Sequence, residues 1–86
     1  MFNIVERFMN NLTIEQVNNF AIKNSINLSS DELDYTYKFI RKNWQPIASN
    51  PGVLNLNRYK HKFSEENFNK IEKLFNVYSK KYKGYL

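Results

Sequence analysis

Apolar residues recur every three or four positions along most of this chain, and no stretch alternates as a half-buried strand would. Val5, Phe8, Met9 and Leu12 form an i, i+3, i+4, i+7 set, which predicts a first helix over about 2–11. Ile14, Val17 and Ala21 align along a second, about 14–24, with Phe20 at the margin of the stripe. A third, about 30–44, carries Leu33, Tyr37, Ile40 and Trp44 on one face, and Pro46 is expected to end it by steering Gln45 away from helical angles. In the last, about 65–83, Phe68, Ile71, Phe75, Tyr78 and Tyr82 point one way.

Three short phrases supply the helix starts: LTIEQV (12–17), LSSDEL (28–33) and FSEENF (63–68). In each, a Ser or Thr hydroxyl can accept an N–H from the first turn, while the residue three places on can reach back to the cap's own N–H. The flanking apolar pair can then close over the start as a staple. Thr13 with Gln16 and Ser29 with Glu32 make full boxes, whereas Ser64 has only Asn67 as its third-position partner. Asp31, Glu32, Glu65 and Glu66 therefore read as acids favoured by the positive end of a helix dipole, not as a catalytic or metal-binding carboxylate pair. Between the third and last helices, Asn50-Pro51-Gly52 suits a type II turn. Asn55 can cap a short helix over 56–62 with Leu54 and Tyr59 as its staple, a segment the sequence leaves open between helix and loop. The fold class expected is all-α, a single-domain bundle of four to five helices.

Composition narrows the function classes. Eighty-six residues supply one small core at most, and 42% hydrophobic with 16% aromatic residues is too apolar for a disordered chain. Zero cysteines exclude disulfides and thiolate metal sites, which suits a reducing cytoplasm. The start, MFNIVERFMNNL, lacks the basic opening and continuous apolar centre of a signal peptide, and no run is long enough for a membrane span. With two glycines there is no phosphate cradle, and the single histidine, His61, lies between Lys60 and Lys62 with no second histidine to share a metal. Cofactors, metals and small-molecule substrates are accordingly not expected, and the chain reads as a non-enzyme.

LTIEQV followed by FAIKNSINLSSDEL, then a loop, then SEENFNKIEKLF, resembles the small helical YqfT-like proteins of Bacillus and relatives, a family without an assigned function. Ser64, Lys70, Ile71, Leu74 and Phe75 carry the resemblance best; Glu65 stands where that family often has proline, and the Tyr/Lys tail is longer. The resemblance implies a short helical cytoplasmic protein and transfers no catalytic residue.

Charge and aromatic placement leave two candidate surfaces. Residues 1–57 hold five basic and five acidic side chains, while residues 58–86 hold eight basic and three acidic, so the entire net charge of +5 lies in the last third. Arg58, Lys60, Lys62, Lys70, Lys73, Lys80 and Lys81 are the candidate nucleic-acid contacts, set against the plainer reading of a solvated lysine face that complements a helix C-terminus. A helix-turn-helix reader is rejected, because Asp31, Glu32 and Asp34 would meet phosphates at the groove. Tyr35 and Phe39 sit one turn apart, off the Leu33/Tyr37/Ile40/Trp44 stripe. Either the third helix is central, sandwiched between the N-terminal and C-terminal helices, or that side meets a partner. Tyr35 and Phe39, with Phe2 and Ile4 of the N-terminal helix, are the candidate protein-contact residues. The expectation is a protein-binding or self-associating module, with nucleic-acid binding as the alternative.

Overall fold

Each of the three capping phrases opens a helix. The computed structural model describes residues 3–50, 52 and 54–81. Helix α1 spans Asn3–Asn10, α2 Ile14–Lys23, α3 Ser30–Ser49 and α4 Glu65–Lys81, with a 3-10 helix at Leu56–Lys62 before α4. No strand occurs among the described residues, so the chain is an all-α single-domain bundle.

At α2, Gln16 N–H donates to Thr13 Oγ1 at 3.1 Å and Thr13 N–H to Gln16 Oε1 at 2.9 Å, closing the box in both directions. Ser29 and Glu32 do the same for α3 at 3.2 and 2.8 Å. The far end of α2 is closed by backbone: Ser25 N–H reaches Ile22 O at 2.9 Å and Ile26 N–H reaches Ala21 O at 2.8 Å. That Schellman pattern places Ser25 at φ 64, a left-handed position where glycine is the usual occupant, and stacks buried Ile26 on buried Ala21. The segment after α3 starts with Asn50 Oδ1 accepting Gly52 N–H at 3.2 Å; the expected type II turn falls on Pro51, outside the described residues. Asn55 does cap the short helix, accepting Asn57 N–H at 3.2 Å, but the helix is 3-10 in type.

Two expectations need correction. Helix α3 runs through Pro46 to Ser49, and Asn50 N–H still reaches Pro46 O at 3.0 Å. Pro46 and Lys42 are both exposed, so the hydrogen bond lost at the proline lies on the solvent side of the helix, while half-buried Ile47 and Ala48 hold the last turn in place. The other correction concerns α1. Of its apolar stripe only Leu12, just beyond the helix, is buried; Met9 is half-buried, while Val5 and Phe8 remain 39% and 57% exposed. Helix α1 packs against α3 by one edge, secured where the Tyr37 hydroxyl donates to Leu12 O at 3.0 Å.

The core is thin. Among the described residues, Leu12, Val17, Ala21, Ile26, Trp44 and Phe68 are the buried apolar ones. Helix α2 packs on α3, and the 3-10 helix packs against the start of α4. Side chains complete the joins that backbone proximity leaves loose, and those joins frame the candidate sites.

Candidate functional site

Among the described residues, the polar group with the most side-chain hydrogen bonds is Glu32, buried at 7% exposure. Its Oε1 accepts Ser29 N–H at 2.8 Å and Asn67 Nδ2 at 2.8 Å, and its Oε2 accepts Ser64 N–H at 2.7 Å. Ser64 is the cap of α4, so the carboxylate that closes the α3 box also supplies, from another helix, the reach-back bond that Asn67 is too short to make. Asn67, buried as well, turns its amide instead to Glu32 and to Asn27 O at 2.9 Å. Burial acts to raise the Glu32 pKa, but the bonds from Ser29, Ser64 and Asn67 outweigh it and hold the carboxyl below the usual range. With both oxygens engaged and two helix N-termini aimed at it, this group fastens α3 to α4. Sequence reading saw only the local half of that arrangement.

The candidate protein-contact residues separate into two groups. Ile4 lies in the open at 80% exposure, one turn from Phe8, so with Val5 it makes an uncovered apolar face on α1; Phe2 falls outside the described residues. Tyr35 and Phe39 are half-buried and belong to an internal cluster. The Phe39 ring meets Tyr59 edge-on at 4.8 Å between centroids, Tyr35 meets Phe63 at 5.9 Å, and Tyr35 lies 6.2 Å from Phe39. Their cover comes from the 3-10 helix and the residue after it, not from the N-terminal helix. The expectation that this pair forms an open contact surface is thus replaced by a core role, because the connecting segment folds back over the second apolar side of α3. Burial, followed by the neighbouring Tyr59, pushes the Tyr35 hydroxyl above the usual tyrosine range.

The candidate basic residues are also divided. Arg58, Lys60 and Lys62 are exposed on a 3-10 helix that carries no acid, and Lys73 and Lys80 are exposed on α4. Lys62 sets its ammonium 5.3 Å from the centroid of the Tyr35 ring. Lys70 is drawn inward: its Nζ donates to Ser25 O at 2.9 Å and pairs with Glu66 at 3.2 Å, tying α4 to the left-handed turn after α2. The Lys81 side chain lies outside the described residues. His61 is exposed, and among the described residues no three His, Asp or Glu groups converge as a metal set would.

Sequence reading missed one feature altogether. Between α2, α3, the 3-10 helix and α4 lies a partly open cavity of about 240 Å³ whose exposed wall presents no polar surface. Val17 and Ala21 contribute from α2, Thr36 and Phe39 from α3, Tyr59 from the 3-10 helix and Ile71 from α4. Val17, Ala21 and Ile71 were legible as stripe residues, whereas Thr36 was not singled out and Phe39 was left open between a covered and a partner-facing side. What periodicity does not reveal is whether such residues meet in contact or leave space.

No family model matches the chain, and neither a curated protein nor a solved structure matches it significantly.

Proposed function

We propose that this chain is a non-enzymatic cytoplasmic binding module that associates through the apolar face of α1, with a second copy of the chain as the occupant. The observation that carries this reading is the exposure of Ile4 at 80% and Phe8 at 57% on one side of a short helix. Large apolar groups clustered in the open mark an association surface more often than scattered ones do. Charge favours a second copy there, because residues 1–57 have no net charge and two such halves meet without like-charge repulsion. The net +5 lies in residues 58–86, outside the segment that forms α1. Kinship with the YqfT-like proteins belongs to the same reading and rests on Ser64, Lys70, Ile71, Leu74 and Phe75.

Sedimentation over a range of concentrations tests the proposal. The expected outcome is a concentration-dependent dimer for the wild type and a monomer for Phe8→Glu, whose charge would be desolvated at the seam. A wild type that stays monomeric throughout removes self-association and leaves the face to a different protein.

A second reading has its own observation: Arg58, Lys60 and Lys62 are all exposed on one acid-free segment, suited to phosphate contact. Retardation of generic RNA or duplex DNA at low salt, lost at moderate salt, is its expected signature. Free migration at low salt eliminates it.

A further inference from the structure

We infer that the apolar cavity between α2, α3, the 3-10 helix and α4 is a binding site for a straight-chain carboxylate of medium length, its tail inside and its head beside the 3-10 helix. Size sets the tail. A cavity of about 150 Å³ accommodates the six carbons of benzene, so one of about 240 Å³ takes on the order of eight to ten carbons. The chemistry of the wall sets its class: with no polar surface to hydrogen-bond a ligand, the buried part must be hydrocarbon.

The head is assigned by charge. Tyr35, Tyr59 and Phe63 belong to the cavity wall, and the segment that contributes Tyr59 carries Arg58, Lys60 and Lys62, all exposed. Lys62 holds its ammonium over the Tyr35 ring, 5.3 Å from the centroid, which places a cation directly on a wall residue. Of the acids around these residues, Asp34 is engaged with Lys38 at 3.0 Å and Glu32 is taken up by Ser29, Ser64 and Asn67, which leaves exposed Glu65 against the three cations. An anionic head emerging beside these rings therefore has three cations within its segment, and because it stays at the surface its desolvation cost is small and the tail supplies most of the affinity. The site is separate from the α1 face, so either proposal can fail without the other.

Titration of decanoate, kept below the concentration at which it forms micelles, into isotopically labelled full-length protein is the test. The expected result is saturable amide shifts centred on Thr36, Phe39, Tyr59 and Ile71, with a rise in Tm. Thr36→Leu fills the cavity at the cost of a hydroxyl bonded only to its own helix, at Glu32 O 2.7 Å away, and should weaken binding at least tenfold while staying folded. Should that variant fail to fold, Ala21→Leu is the second filler, and the wild-type titration is decisive by itself. Lys62→Gln should weaken decanoate several-fold, and decanol should bind several-fold more weakly than decanoate. Absence of saturable shifts in the wild type, or shifts confined to Ile4, Val5 and Phe8, overturns the site. Equal binding of decanol and decanoate overturns the assignment of the head.

Discussion

Glu32 shows how much one side chain can be asked to do. A buried carboxylate is tolerated only when its oxygens are satisfied, and here three N–H donors between 2.7 and 2.8 Å do so from two helix starts. Replacing it by alanine leaves the Ser64 N–H and the Asn67 amide without that acceptor. The expected loss is about 2–4 kcal/mol, measured by urea denaturation at neutral pH. Glu32→Gln keeps the shape but offers an NH2 group where one oxygen accepts, so an intermediate loss is expected. The pH dependence follows from the direction of the shift. A carboxyl held below its usual 4.5 stays charged in the folded protein at pH values where the unfolded chain has already taken up a proton. Its contribution is complete above about pH 4.5 and fades as pH falls through the lower folded value. Wild type should therefore lose stability more steeply than Glu32→Gln between pH 5 and pH 3, as read by unfolding midpoints. Parallel acid profiles would show that the junction does not lower the carboxyl's pKa below that of the unfolded chain.

Among the elements, the legible ones are those whose signals are local. The Thr13/Gln16 and Ser29/Glu32 boxes close within three residues, so the sequence states them outright and both helix starts fall where expected. Glu32 reaching Ser64 crosses 32 residues, and Asn67 reaching Asn27 crosses 40, separations at which no spacing rule operates. The N-terminal stripe was legible as a face, but periodicity identifies a face without saying what covers it, and α1 leaves most of its own uncovered. Pro46 misled for a related reason. Its local preference ends a helix, yet the burial of Trp44 with the half-burial of Ile47 and Ala48 holds one more turn. Pro46→Ala restores an N–H aimed at Lys42 O and removes a ring that opposes helical angles at Gln45. Against this stands the added freedom of the unfolded chain, worth about 0.4–1 kcal/mol. A net gain of about 1–2 kcal/mol is expected, seen as a higher Tm, since the full cost of about 3 kcal/mol applies to a helix interior and not to a last turn. An unchanged or lower Tm would mean that the added freedom of the unfolded chain matches or outweighs the restored bond.

At the scale of the whole molecule, the interactions are unevenly distributed, and that has a dynamic consequence. Among the described residues, Glu32 and Asn67 join α3 to α4, Lys70 joins α4 to the turn after α2, and the Tyr35/Phe39/Tyr59/Phe63 cluster joins α3 to the 3-10 segment, whereas α1 rests on the burial of Leu12, the half-burial of Met9 and the bond from the Tyr37 hydroxyl. An eight-residue helix has little stability of its own, because nucleation costs more than so few hydrogen bonds return. Opening α1 while the remainder stays folded exposes little apolar area that is not already exposed, so its free energy should lie well below that of global unfolding. Native-state hydrogen exchange measures this directly. Amides of Arg7, Phe8 and Met9 should exchange at least about tenfold faster than those of Leu33, Tyr37 and Phe68 at low protein concentration, a difference of about 1.4 kcal/mol or more. If the face of α1 is the seam between two copies, raising the concentration should slow α1 exchange selectively, since dimerisation stabilises only the docked state. Slow exchange at every concentration would place α1 within the cooperative core and leave the proposed seam without the accessible helix it requires. Concentration-independent fast exchange would keep the loose helix but dismiss the second copy as its cover.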